Sequence, residues 1–135
     1  MLGMVVADTS DWIPYFNRPD SQEKAILDAL IQDDNLALVG IVVAELLQGC
    51  RSAKEAAALV ETLSALPFIE MTFLAWRRAG EISASLRRRG VTLPLSDLII
   101  AGLALHQDCA VFTLDPHFRK IPGVRLYRPS KALRA

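Results

Sequence analysis

The chain has 135 residues, of which 52% are hydrophobic and 22% are charged. This composition is too apolar for a disordered chain, and the length favours one compact domain with its own core. Fifteen basic and fifteen acidic residues give a net charge of zero, which excludes a global positive field that attracts nucleic acid or an anionic membrane. A polyanion must therefore meet a local basic patch or a bound cation. Low net charge and high apolar content also favour self-association, so we expect a homodimer.

The sequence predicts neither a membrane span nor a secretion signal. The longest uninterrupted apolar stretch, residues 36–44, is far shorter than the roughly 18 residues needed to cross a bilayer. The segment before Asp8 has no basic start and is typical of a buried strand. Cys50 and Cys109 are too few for a disulfide framework or a thiolate metal site. We expect a reducing, cytoplasmic setting.

Strand and helix patterns alternate along the first half of the chain. The pattern predicts a strand at 4–7, a loop around 14–19, a helix at 21–31, a strand at 36–41 and a helix at 42–48. Ser21 is the expected helix cap, and Lys24 and Asp28 are spaced to pair on that helix. The aromatic residues after Asp8, which are Trp12, Tyr15 and Phe16, suit core or dimer packing. The alternative is that they stack on a base or anchor a partner protein.

The second half continues the alternation. It predicts a helix at 53–66, a weak strand at 68–71, a long helix at 73–89, a buried helix at 97–107, a strand at 110–113, a helical turn from Pro116 and a short strand at 124–126. The core candidates of the long helix are Phe73, Trp76, Ile82 and Leu86, and Ser96 is the expected cap of the buried helix. Strands separated by helices predict an α/β fold, with a mainly parallel sheet between helices on both faces.

Four acidic residues fall where this fold brings strand ends together. Asp8 follows the first strand, and Asp115 follows the strand at 110–113. Glu45 lies early in the helix after the second strand, and Asp97 begins the buried helix. Ligands of parallel sheets gather outside the carboxyl ends of the strands, so these carboxylates are candidates for one site.

Carboxylates held this close repel one another unless a cation binds them or some are protonated. Oxygen ligands favour Mg²⁺ or Mn²⁺ over Zn²⁺. Such a cation binds phosphate oxygens and lowers the pKa of a coordinated water, which makes phosphodiester hydrolysis the expected chemistry. Thr9 and Ser10 can offer hydroxyl groups to a water or a substrate phosphate.

Each acid also has a purely structural interpretation. Asp97 can complement the positive end of its helix, and Asp115 before Pro116 can begin a turn. Asp8 can cap the turn after its strand. Glu45 lies in an apolar stretch, where a charge is rarely buried without a partner.

Four segments around these acids resemble the motifs of the PIN-domain ribonucleases, in particular the VapC toxins of VapBC toxin–antitoxin systems. The segments are 5–10 (VVADTS), 44–49 (AELLQG), 95–104 (LSDLIIAGLA) and 111–118 (VFTLDPHF). The four segments stand in the family's order and at family-like intervals, and the match covers nearly the whole chain. Two positions depart from the family's pattern, because Val42 stands where many relatives have Ser or Thr and His117 stands where many have Asp or Asn.

The resemblance implies a single PIN-like domain over residues 1–135, a three-layer sandwich and a metal-dependent endoribonuclease. It further implies that Asp8, Glu45, Asp97 and Asp115 form the acidic cluster, that Mg²⁺ or Mn²⁺ is the cofactor, and that the chain is a homodimer inhibited by a VapB-like antitoxin. His117 is expected to touch a phosphate near the site. The alternatives are a receiver-like module that binds Mg²⁺ and is phosphorylated on Asp, and a PIN fold that binds RNA or a partner without cutting it.

A group of arginines lies on the long predicted helix. Arg87 and Arg88 near its end are candidates for binding RNA phosphates. The alternative is a solvated helix face, on which Arg77 and Glu81 pair at i,i+4.

Overall fold

A computed structural model describes residues 3–129 of the chain. The strands are β1 (Val5–Ala7), β2 (Leu36–Val39), β3 (Phe68–Ile69) and β4 (Ala110–Phe112). The helices are α1 (Thr9–Asn17), α2 (Gln22–Gln32), α3 (Gly40–Gln48), α4 (Ala53–Ser64), α5 (Phe73–Arg88) and α6 (Leu95–Gln107), followed by a 3₁₀ helix at Pro116–Lys120. No helix within the described range is long and apolar enough to cross a membrane.

The four strands form a parallel sheet in the order β3-β2-β1-β4. All residues of β1 and β2 are buried, which explains why these strands are continuous apolar runs rather than alternating ones. The chain moves outward from β1 to β2 to β3 and then returns across the sheet to β4 on the other side of β1. This reversal creates a switch point between the carboxyl ends of β1 and β4.

Right-handed crossovers place the helices that follow β1 and β2 on one face and the α5–α6 pair on the other. The expected α/β three-layer architecture with a parallel central sheet is therefore confirmed. Helix α6 is buried along most of its length, as its apolar sequence predicts. It packs closely on α5, where the Gly102 backbone lies against Ala79.

Several local predictions are also confirmed. Ser21 caps α2 by accepting a hydrogen bond from the Lys24 N–H, and the Lys24 ammonium lies 2.7 Å from the Asp28 carboxylate. Trp12 is fully buried, and its ring lies 5.1 Å from that of Tyr15 and 5.9 Å from that of Phe16. These aromatic residues therefore serve the core, as expected.

The loop expected around residues 14–19 is wrong in its first part, because α1 continues through Pro14 to Asn17. Pro14 removes the N–H that would reach the Ser10 carbonyl, while Asp8 and Arg18 satisfy backbone groups at the two ends of the helix. The cap of α6 is Pro94 rather than Ser96.

Two other expectations are corrected. Phe73 and Trp76 are not core residues, because Ala75 and Ala79 form the buried face of this part of α5 and leave the two aromatic side chains 80% and 51% exposed. The predicted strand at 124–126 is not a full strand. It is reduced to a single parallel bridge between Leu126 and Val111. Most remaining element ends shift by one or two residues.

Candidate metal centre

Asp8 stands at the carboxyl end of β1 and caps α1. Its buried carboxylate accepts hydrogen bonds from the Ser10 N–H at 2.6 Å and from the Ser10 hydroxyl at 2.5 Å. The Thr113 hydroxyl donates to the other carboxylate oxygen. Asp8 therefore caps α1, as its structural interpretation predicts. Its carboxylate also lies at the switch point beside β4, where it contacts Thr113.

Asp115 reaches the same place from β4. Its backbone N–H donates to the Thr113 hydroxyl at 2.9 Å, so Thr113 links the two acids. The Asp115 carboxylate accepts from the backbone N–H of His117 at 2.9 Å and thereby begins the 3₁₀ helix. In this turn the His117 ring lies beside the Asp115 carboxylate.

Asp97 comes from the opposite face, in the first turn of α6. Its Oδ2 lies 2.9 Å from Nδ1 of His117, and the same nitrogen lies 3.0 Å from Oδ1 of Asp115. Because carboxylates accept hydrogen bonds, Nδ1 carries the hydrogen when it bridges the two acids, and its lone pair becomes available to a cation when the ring hydrogen moves to Nε2. His117 therefore bridges the two acids.

The charges of this group act on one another. Burial raises the pKa of the Asp97 carboxyl above its ordinary value, the hydrogen bond from His117 opposes that change, and the negative charges of Asp115 and Asp8 raise the pKa further. The response of Asp97 to both other acids shows that the three carboxylates share one electrostatic environment.

Glu45 is set apart from this group. Its Oε1 accepts a hydrogen bond of 2.6 Å from the Thr9 hydroxyl, the neighbour of Asp8 in sequence. It is half-buried and also lines a small cavity between α1, α3 and α4. The topology thus brings Glu45 to the correct edge, but its contact with the other acids is indirect.

The donor atoms suit a divalent cation. One oxygen of Asp97, one of Asp115 and a ring nitrogen of His117 all lie within 4.8 Å of one another, and Asp8 adjoins them through Thr113. Several partly buried carboxylates with a single imidazole between them leave excess negative charge that a cation would neutralise. The residues present therefore fit the cation that the sequence predicts.

The other predicted substrate contacts are placed less directly. The hydroxyls of Thr9 and Ser10 donate to Glu45 and Asp8, so both residues position acids. Arg87 and Arg88 are exposed at the end of α5, which the turn before α6 brings to the same end of the molecule as Asp97. Within residues 3–129, Arg77 pairs with Glu81 at 3.3 Å, as the solvated-face interpretation predicts.

Two polar residues of this region were not predicted from the sequence as site residues. Thr113 ends the β4 segment, and a hydroxyl at a strand end beside Asp115 was the available signal. Asp11 is fully buried in α1, where its two carboxylate oxygens have no hydrogen-bond partner among the described residues. An acid inside the aromatic run that contains Trp12 was the signal in that case.

Comparison with known proteins agrees with this architecture. The family model of the PIN domain matches residues 5–124. No functionally curated protein matches the chain.

Several solved structures share the fold. The chain is 23% identical to a protein of the DNA-bound VapBC complex from Salmonella typhimurium, with a TM-score of 0.81 and coverage of 92% of this chain and 96% of that one. VapBC2 from Rickettsia felis bound to promoter DNA gives 23% identity, a TM-score of 0.80 and coverage of 92% and 97%.

A third similar structure is VapC20 from Mycobacterium tuberculosis, a toxin that cleaves the sarcin–ricin loop. It shares 15% identity with a TM-score of 0.65, and the match covers 93% of this chain and 99% of that one. At these identities the likenesses show the fold. Because the family model spans most of the chain and the acids meet at the switch point of the sheet, this protein belongs to the PIN domain family.

Proposed function

We propose that the chain is a metal-dependent endoribonuclease that hydrolyses RNA phosphodiester bonds and acts as the toxin of a type II toxin–antitoxin system. The observation that carries this proposal is the convergence of Asp97, Asp115 and His117 beside Asp8, at the switch point of a PIN fold. Membership of the PIN family leaves the receiver-like alternative without support.

In this function, Asp8, Asp97 and Asp115 would hold Mg²⁺ or Mn²⁺. When bound, the cation would neutralise charge on the phosphate oxygens and activate water for attack. Thr113 links the two acids, because its hydroxyl donates to the Asp8 carboxylate and accepts from the backbone N–H of Asp115. Glu45, oriented by Thr9, would bind the cation or accept a hydrogen bond from water at this edge.

His117 and the nearby basic residues would meet the RNA. The His117 ring is half exposed, so it is available to a phosphate on its solvent side. Arg87 and Arg88 would contribute phosphate contacts farther from the acids. Thr9 and Ser10 act on the substrate mainly through the acids that they position.

The toxin role includes a protein partner. The similar structures from Salmonella typhimurium and Rickettsia felis are VapBC complexes, and on this basis we infer a VapB-like antitoxin that inhibits the chain. A homodimer in the cytoplasm completes the proposal, with one PIN-like domain over residues 1–135. Exposed apolar side chains such as Phe73 and Trp76 provide apolar surface for such contacts.

Cleavage of a mixed RNA pool by the purified, antitoxin-free chain tests the nuclease and its residues. Replacing Asp8, Asp97 or Asp115 by Asn is expected to lower the cleavage rate by about 100-fold or more, since each change removes a cation ligand. Glu45→Gln should lower it less, because Glu45 has no direct contact with the other acids. Asp28→Asn, which changes an exposed acid on α2, is the matched control.

Wild-type rates in the three Asp→Asn variants would contradict the site. A folded wild-type chain that binds RNA but never cleaves it would instead support a PIN domain without catalysis.

A further inference from the structure

A polar cavity of about 470 Å³ opens directly beside the acidic cluster. Its lining includes Thr113, Asp115, Arg119, Tyr127 and Arg128. We call it the arginine cavity. Its volume lies in the range of about 300–1,000 Å³ that is typical of small-ligand sites. Because Asp115 belongs to both, a molecule in the arginine cavity would also adjoin the candidate metal centre.

The two arginines bring uncompensated positive charge to this position. Both are exposed, and no ion pair or hydrogen bond of their guanidinium groups occurs within the described residues. By contrast, Arg125 is only a few residues away and pairs with Asp108 at 3.0 Å. A guanidinium group presents paired N–H donors whose spacing matches two oxygens of a phosphate.

The backbone that carries these arginines is anchored to the core. Arg119 lies on the 3₁₀ helix, which Asp115 caps and which the buried Phe118 fixes below. Next to Arg128, the backbone N–H of Tyr127 donates to the Val111 carbonyl at 2.8 Å. The Tyr127 ring meets Phe112 edge-on, with 6.1 Å between the ring centroids. The arginine cavity is therefore largely formed before a ligand arrives.

We propose that the arginine cavity binds the RNA strand next to the bond that is cleaved, with Arg119 and Arg128 each contacting a backbone phosphate. This inference rests on the proposed ribonuclease function and adds the residues that hold the substrate. The Tyr127 ring provides a surface on which a base can stack, and basic groups interleaved with aromatic rings are typical of single-strand binding sites. The neighbouring carboxylates favour RNA as the occupant rather than an acidic peptide, because a phosphodiester chain would also reach the cation that these carboxylates would hold.

Salt-dependent RNA binding tests the proposal without requiring catalysis. We would measure fluorescence anisotropy of a labelled, mixed-sequence single-stranded RNA in the presence of chelator, across a range of NaCl concentrations. Replacing Arg119 and Arg128 together by Ala should reduce the slope of log affinity against log salt by about 1.4, since each phosphate contact contributes about 0.7. The affinity at low salt should fall about tenfold or more.

Two further variants separate charge from packing. Replacing both arginines by Lys should preserve most of the salt slope, because the charges remain. Arg18→Ala with Arg51→Ala is the charge-matched control, because both arginines are exposed and neither lines the arginine cavity. This control should bind RNA as the wild type does.

Unchanged affinity and slope in the double Ala variant would overturn the proposal, and so would a wild-type chain that does not bind the RNA. Displacement of the RNA by polyglutamate as readily as by unlabelled RNA of equal charge would assign the cavity to an acidic peptide and also overturn it. If the wild type binds RNA through these arginines but does not cleave with Mg²⁺ or Mn²⁺, the proposed nuclease fails and the arginine cavity stands. If the wild type cleaves and the double variant binds normally, the reverse holds.

Discussion

His117 gives the acidic cluster an imidazole nitrogen, and this changes which cations the cluster should prefer. Its Nδ1 lies 2.9 Å from Asp97 and 3.0 Å from Asp115, within the set of atoms that fits a cation. Mg²⁺ prefers oxygen ligands, whereas imidazole nitrogen suits transition metals. A centre that includes His117 should therefore favour Mn²⁺ over Mg²⁺ more strongly than an all-carboxylate centre does.

We expect His117→Asn to weaken Mn²⁺ binding by about tenfold or more while changing Mg²⁺ binding much less. Isothermal titration calorimetry with each ion separately measures both affinities. His106→Asn is the control, because His106 is exposed near the far end of α6. Equal or tighter Mn²⁺ binding by His117→Asn would show that the imidazole competes with the cation rather than holding it.

Asp11 is a second residue with an unusual environment. Burial raises the pKa of its carboxyl to about 9, and the negative charge of Asp8 adds to the increase. The group is therefore neutral in the folded chain at pH 7 and ionised in the unfolded chain. Because only the unfolded chain releases this proton, Asp11 makes folding less favourable as the pH rises from about 4 towards 9.

The contribution of Asp11 to the free energy of unfolding should fall by up to about 4 kcal/mol between pH 4 and pH 7, at 1.36 kcal/mol for each pH unit. Asp11→Asn removes this titration, so the variant should be more stable than the wild type at pH 8 and show a weaker loss of stability with pH. Urea unfolding between pH 5 and pH 8.5 measures the difference. Parallel pH profiles for the two chains would refute the assignment.

At the scale of elements, apolar periodicity predicts the strands and most helices, while local signals decide the exceptions. Pro14 and Pro19 indicate a loop, yet α1 spans Pro14 because Trp12 is buried and Asp8 caps the helix. Hydrophobicity marks Trp76 of α5 as a core residue, but the small residues Ala75 and Ala79 form the buried face there, because α6 packs closely against them. The weak strand predicted at 68–71 is present as the two residues of β3, which pair with β2.

The α5–α6 contact offers a matched pair of glycines. A Cβ atom at Gly102 would lie 2.8 Å from the backbone nitrogen of Ala79, whereas a Cβ atom at Gly80 meets nothing within 4 Å. Gly102→Ala should therefore lower the free energy of unfolding by about 1–3 kcal/mol through overpacking. Gly80→Ala should raise it by about 0.5–1 kcal/mol through helix propensity.

Urea unfolding of both variants checks this pair under the same conditions. The comparison also concerns the site, because α6 carries Asp97 and a shift of this helix would move that carboxylate. Equal stability of Gly102→Ala and the wild type would contradict the close approach of the two helices.

At the scale of the whole molecule, strand order is what makes the acids a site. Asp8 and Asp115 are 107 positions apart in sequence, and they meet because β1 and β4 are parallel neighbours in the sheet. The sequence could predict their shared edge from the strand–helix alternation. It could not predict the bridging nitrogen of His117 or the Thr113 link, because both depend on the short 3₁₀ turn after β4.

The distribution of charge over the whole molecule explains how a chain with no net charge would bind RNA. Acidic residues gather at the switch point, while Arg119 and Arg128 line the adjoining cavity and Arg87 and Arg88 lie at the same end of the molecule. Opposite charges are thus segregated locally within a neutral whole. A cation at the acids would make this end of the protein attractive to a phosphodiester chain.

The most direct test of the central claim is cleavage of a mixed RNA pool by the antitoxin-free chain, with Mn²⁺ or Mg²⁺, with chelator, and with the Asp8→Asn plus Asp97→Asn double variant. We predict that cleavage by the wild type requires the cation, is abolished by chelator and is absent in the double variant. Cleavage that persists in chelator or in the double variant would contradict a metal-dependent nuclease built on these acids.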